Sequence, residues 1–248
     1  MSHQLAKKRA LVTGGSRGIG AAIVKRLAKD GADVAFTYVS NKEQADTTVK
    51  AAQAMNVTAL AIQADSADAG ALVAAVDEAA RELGGIDILV NSAGVLLIAP
   101  VDDYSIEDLD RTLAVNVRAV FIATQAAVKH MQAGGRVITI GSCNAERMPF
   151  VGGGVYAMSK AALVGLAKGL ARDLAPRGIT INNVQPGPVD TDANPATSDF
   201  AKMLREQFLA VKRYATGDEI ASLVAYLASP EAGYVTGASL TIDGGFTA

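Results

Sequence analysis

Residues 9–29, RALVTGGSRGIGAAIVKRLAK, limit what this chain can become more than any other stretch. Arg9 to Thr13 is a short, mostly apolar run of strand length. Gly14, Gly15, Gly18 and Gly20 follow at once, and then a helical run from Ala21 to Lys29. A strand handed through glycines into a helix brings free backbone N–H groups to one point, the arrangement that cradles a phosphate. The spacing of Gly14, Gly18 and Gly20 is G-x-x-x-G-x-G, not the commoner G-x-G-x-x-G, and by itself it also fits a plain tight turn.

The rest of the chain repeats the unit. Strands are expected at Asp33–Tyr38, Thr58–Gln63, Ile86–Asn91, Arg136–Ile140, Ile179–Val184 and Ala238–Ile242. Between them the helical runs are Lys42–Ala54, Ala67–Leu83, a long one from Ile106 to Met131, Ala161–Leu174 and Gly217–Ala228. Alternating apolar strands and helices imply a parallel sheet with helices on both faces. The fold expected is a single α/β domain over residues 1–248, a Rossmann-like doubly wound sheet of about seven strands. Residues 188–214, after the irregular Gln185-Pro186-Gly187-Pro188, read as a lid with a short helix, Asp199 to Ala210.

Bulk properties remove whole classes of function. With 50% hydrophobic and 19% charged residues the chain can bury a large core. The net charge of −2 comes with no long block of either sign, which argues against nucleic acid and membrane surfaces as partners. Cys143 is the single cysteine, so no disulfide forms within the chain, which fits a reducing cytoplasm. The N-terminal MSHQLAKKRALV lacks the pattern of an export signal, and His3 and His130 with one cysteine make no metal-binding set.

The second strand indicates the nucleotide. An Asp or Glu at its end would take the ribose hydroxyls of NAD and repel a 2′-phosphate. Here the strand runs out through Tyr38, Val39, Ser40, Asn41 and Lys42, with no carboxylate. Arg17 and Lys42 would attract that phosphate, and Ser40 and Asn41 would donate hydrogen bonds, so NADP is expected over NAD. Asp65 either meets the adenine amino group or caps the following helix. Asn91-Ser92-Ala93-Gly94 ends the fourth strand with small residues that let a cofactor lie against backbone.

The chemistry points to YAMSK. Tyr156 and Lys160 are one helical turn apart and share a face. A cation about 4 Å from the phenol is worth roughly 4 kcal/mol at an effective dielectric near 20, enough to bring a tyrosine pKa of about 10 toward neutrality. Tyr156 could then give or take a proton. Ser142 ends the fifth strand, where ligands of such sheets collect, and its hydroxyl could hold a substrate oxygen. No G-x-S-x-G elbow surrounds it, so an acyl-transfer serine is the weaker reading, and Cys143 reads as a packed small residue. Asn116, among apolar neighbours, is a core hydrogen-bonding amide or a group that positions water.

TGGSRGIG at 13–20, NSAG at 91–94, Asn116, Ser142, YAMSK at 156–160, PGPVDT at 186–191 and VTGASLTIDGGF at 235–246 together resemble the short-chain dehydrogenase/reductases, in order and over the whole chain. The resemblance is nearest to NADPH-dependent 3-oxoacyl-carrier-protein reductases and their ketone-reductase relatives. It implies that Tyr156 is the general acid, that Lys160 lowers its pKa and holds the nicotinamide ribose, that Ser142 orients the carbonyl, and that Asn116 holds a water. It also implies that Gly14, Ser16, Arg17, Gly18, Ile19, Gly20, Asp65, Asn91, Ala93, Gly94, Pro186, Gly187, Val189 and Thr191 line NADP(H). A homo-oligomer, dimer or tetramer, is expected, with the apolar helix after Lys160 facing another subunit.

The family's usual NNAG is NSAG here, a small departure. GSCNAERMP, residues 141–149, departs further and resembles a subgroup that includes a binder of cyclic di-GMP. Asn144 and Arg147 would then serve a special ligand, and a sensor is the alternative to a reductase. Leu96–Val101, Met148, Phe150, Phe200 and Phe208 suggest a small hydrophobic carbonyl substrate.

Overall fold

Strands apolar on both sides need a layer of helices on each. In the computed structural model, which describes residues 4–248 and leaves His3 outside, seven strands meet that need. They are β1 (Arg9–Thr13), β2 (Asp33–Tyr38), β3 (Ala59–Gln63), β4 (Ile88–Asn91), β5 (Arg136–Ile140), β6 (Thr180–Pro186) and β7 (Ser239–Ile242). All pair in parallel, in the order β3-β2-β1-β4-β5-β6-β7. The helices are α1 (Gly18–Lys29), α2 (Lys42–Gln53), α3 (Ala69–Leu83), α4 (Ile106–Leu113), α5 (Ala119–Ala127), α6 (Gly154–Leu174), α7 (Asp199–Gln207) and α8 (Gly217–Ala228).

Strand alternation divides the core in two. Ala10 and Val12 pack with Ile23 and Leu27 of α1 and Val224 and Leu227 of α8. Leu11, between them, packs on the other face with Leu72 and Val76 of α3, Ala123 of α5 and Ala167 of α6. A third cluster, of Cys143, Leu204, Leu209, Tyr214 and Phe246, lies under α7. β1 pairs with both β2 and β4, so the chain winds outward one way and then returns to start the other. A crevice opens beyond the strand ends at such a switch point.

Several boundaries move from the sequence reading. Gly18 carries φ +54 and already starts α1. The Ile106–Met131 run is one rod ending at Ala127, interrupted by a π-helical turn at Ala114–Arg118 around Asn116. α6 begins at Gly154, so Tyr156 and Lys160 both lie inside it.

Candidate active site

A cleft of about 920 Å³ runs along the carboxyl ends of the strands. At one end the glycine loop is held from two sides. Thr37 Oγ1 accepts the Gly14 N–H at 3.1 Å, and Thr13 Oγ1 accepts the N–H groups of Ser92 and Ala93, each at 3.1 Å. Gly14, at φ +70, would bring a Cβ within 2.9 Å of Ala93 Cα, and a Cβ on Gly20 would drive into the Gly14 carbonyl. The loop therefore tolerates no side chain at either position.

The start of α1 is left open. Side chains cap α2 (Asn41), α3 (Asp68), α4 (Ser105), α7 (Ser198) and α8 (Thr216). At α1 the capping position is Arg17, which makes no such bond. Its first N–H groups face a cleft wall built of Gly14, Ser16, Arg17, Gly18, Ile19 and Gly20, and want an anion. Beyond it Tyr38, Val39, Ser40, Asn41 and Gln44 also line the cleft, with no carboxylate at the end of β2. These residues fit a dinucleotide that carries a 2′-phosphate.

Two expected cofactor contacts are placed differently, and a third lies in the cleft with a partner of its own. Lys42 does not line the cleft; its ammonium bonds both oxygens of Asp46 at 2.9 and 2.8 Å, one turn along α2. Asn91 is buried, with Nδ2 donating to Thr124 Oγ1 at 3.2 Å, because strand alternation turns it away from the cleft that Ser92, Ala93 and Gly94 line. Asp65 does line the cleft, but Arg111 forks onto its two oxygens at 3.0 and 3.2 Å, and the Ala67 N–H takes Oδ1 at 2.9 Å. Burial pushes the Asp65 pKa up, and those bonds overcome it and hold the carboxyl below its ordinary value. The cap of α3 is Asp68, not Asp65. Arg111 and Gln44, both in the lining, were invisible as site residues in the sequence.

At the other end the cleft wall carries Ser142, Tyr156 and Lys160, with Pro186, Gly187, Val189 and Thr191 facing them. β5 ends at Ile140 and releases Ser142, whose backbone is extended and whose Oγ caps the short turn Cys143–Ala145. α6 supplies the pair. Lys160 is 5% exposed, donates to the Ile140 carbonyl at 2.9 Å, and stands 5.9 Å from the centre of the Tyr156 ring. Burial alone pushes its pKa down to about 8.

The expected depression of the tyrosine pKa is reversed. The Tyr156 phenol stands above its ordinary value, because burial outweighs the Ser142 hydrogen bond that pulls it down. Lys160 spends its charge on a carbonyl and is itself desolvated, so it does not offset that burial.

Asn116 is fully buried and lies outside the lining. Its Oδ1 accepts the Val95 N–H at 2.9 Å, and its Nδ2 donates to the Val95 carbonyl at 2.9 Å and to Ser159 Oγ at 3.0 Å. It pins the loop after β4 to α6. Arg147, expected to face a ligand, donates to the Phe246 carbonyl at 2.7 Å with its guanidinium 5.7 Å from the Phe208 ring centre.

Comparison with known proteins fits this geometry. Residues 14–247 match the family model described as Enoyl-(Acyl carrier protein) reductase. The chain is 48% identical over 241 residues to the cyclic-di-GMP-binding biofilm dispersal mediator protein of Escherichia coli, covering 97% of this chain and 98% of that one. A short-chain dehydrogenase/reductase from Serratia marcescens superposes with a TM-score of 0.98 at 59% identity, over 99% of this chain and 100% of that one. A short-chain dehydrogenase from Burkholderia cenocepacia in complex with NADP gives 0.97 at 53%, over 99% and 100%. A parallel sheet with an open helix end and a Ser, Tyr, Lys wall defines a dinucleotide-dependent oxidoreductase. The chain belongs to the short-chain dehydrogenase/reductase family.

Proposed function

We propose that this protein binds NADP(H) and interconverts a ketone and its secondary alcohol, with Tyr156 as general acid and base. The observation that carries the reading is the cleft itself: one end offers uncapped N–H groups and a glycine cradle, and the other converges Ser142, Tyr156 and Lys160. NADPH, when bound, supplies the hydride that the carbonyl carbon receives. Arg17, Ser40, Asn41 and Gln44 would hold its 2′-phosphate, and the α1 N-terminus its pyrophosphate. Thr191, Pro186, Gly187, Val189, Ala93 and Gly94 would hold the nicotinamide end.

The raised pKa of Tyr156 suits the reductive direction, since the phenol keeps its proton until the carbonyl oxygen takes it. Ser142 would hold that oxygen. Lys160 would place its ammonium near the phenol as negative charge develops there. The exposed apolar residues Leu96, Ile98, Val151 and Phe200 favour a hydrophobic carbonyl compound. The outer face of α6 presents Ala161, Ala162, Gly165 and Gly169, with open space over both glycines, and supports a homo-oligomer through that helix. No helix among the described residues is long and apolar enough to cross a membrane, and the single cysteine supports a cytoplasmic protein.

NADPH absorbance followed over ketones, β-ketoesters and 3-oxoacyl thioesters tests the reading. Turnover on one class, lost by about 10²-fold or more in Tyr156→Phe with NADPH binding retained, is expected. No oxidation of NADPH on any of them would sink it. The second reading, cyclic di-GMP binding, is favoured by the name of the Escherichia coli relative. Against it, Arg147 is engaged by Phe246, and Asn144 by Ser142. Titration calorimetry with cyclic di-GMP separates the two.

A further inference from the structure

Asn144 belongs to the unusual segment after β5, and the structure turns it inward. Its main-chain N–H donates to Ser142 Oγ at 3.1 Å, and Ser142 Oγ donates its proton to Asn144 Oδ1, also at 3.1 Å. Asn144 Nδ2 reaches Met148 Sδ at 3.3 Å. A thioether accepts and cannot donate, so the amide nitrogen faces the sulfur and the amide oxygen faces the serine. Met148 is fixed in turn, because its side chain fills the space a Cβ on Gly153 would need, at the start of α6. From behind, Gln185 Nε2 donates to the Ser142 carbonyl at 3.2 Å.

A hydroxyl has one proton and two lone pairs. At Ser142 two acceptors, Asn144 Oδ1 and the Tyr156 phenol oxygen, face the one proton, and one lone pair goes to the Asn144 N–H. While Asn144 holds the proton, what remains for the cleft is a lone pair, and the resting hydroxyl is an acceptor there. An alcohol brings a proton to it. A ketone brings only acceptors, and can be held by Ser142 only after the serine proton leaves Asn144.

We infer that Asn144 is a positioning residue that holds Ser142 as an acceptor, favouring the alcohol over the ketone in the resting site. This rests on the reading of Ser142 and Tyr156 as carbonyl–alcohol machinery. The difference lies in which partner binds directly, so it is visible in complexes that cannot react.

Calorimetry with acetophenone on the NADP⁺ complex and 1-phenylethanol on the NADPH complex reads it without turnover. Asn144→Leu removes the acceptor and frees the serine proton. Acetophenone should then bind more tightly and 1-phenylethanol less, each by roughly threefold, about the worth of one neutral hydrogen bond. Asn144→Asp keeps an acceptor facing the serine and should keep the wild-type order. Met148→Leu removes the sulfur that orients the amide, leaves Asn144 in place, and should move the ratio the same way by less. If both probes weaken together in Asn144→Leu, the residue only supports the turn and the proposal falls alone. If neither constant moves, the proposal also falls. If wild-type protein binds NADPH but neither probe, the proposal falls together with the carbonyl reading.

Discussion

Helices α1 and α8 pack side by side, yet their N-termini are finished in opposite ways. At α8, Thr216 Oγ1 accepts the Glu219 N–H at 3.3 Å and Glu219 returns a bond to the Thr216 N–H at 2.9 Å, while Arg213 forks onto the same carboxylate at 2.8 and 2.6 Å. The Glu219 carboxylate there is answered within the chain. At α1 the capping position holds a cation with no bond to its own helix, and the glycines behind it exclude side chains that could close the gap. The difference shows where stability has been left unclaimed for a ligand to supply. α6 repeats the α1 pattern, with Gly153 at its cap and Tyr156 in its first turn.

The largest test gives α1 the cap it lacks. Arg17→Asp supplies an oxygen for the first N–H groups and puts a negative charge where phosphate would lie. NADPH affinity, followed by the fluorescence of the bound cofactor, should fall by roughly 100-fold, while the thermal midpoint does not fall. Undiminished affinity would remove the open end as the binding feature.

The pH profile of ketone reduction comes next. Burial puts the Lys160 pKa below its ordinary value, at about 8, so its charge is present at lower pH and lost as pH rises through that value. kcat/KM should decline above pH 8, approaching roughly tenfold per pH unit, as the cation beside Tyr156 disappears. A rate flat to pH 10 would show that the cation is not needed. The smallest effect belongs to the closed end. Thr216→Ala should lower the unfolding free energy in urea by about 1 kcal/mol and leave NADPH affinity unchanged. A loss of affinity there would erase the contrast between the two helices.

Much of this was legible beforehand because it is local. The glycine loop, the β–α alternation and the one-turn spacing of Tyr156 and Lys160 are short-range patterns, and the structure brings their residues to one cleft. The Lys42–Asp46 pair was equally local, an i, i+4 spacing along α2. What could not be read is long-range or depends on burial. Nothing near Asp65 in sequence announces Arg111, 46 positions away. The direction of the Tyr156 pKa is set by desolvation, which only the packed structure supplies. The sequence marks Asn116 as an amide in need of partners, and the partners, Val95 and Ser159, emerge only with the π turn in place.

The Thr13 hydroxyl, which accepts two N–H groups from a segment 79 and 80 positions away, ties the cleft to the history of the chain. β1 pairs with β4 although β2 and β3 stand between them in the sequence, so the two halves of the cleft meet only once a long-range pairing has formed. A partly folded chain has a glycine loop but no floor for a nucleotide to lie on. A bound cofactor would therefore stabilise the finished sheet, where both walls of the cleft are in place.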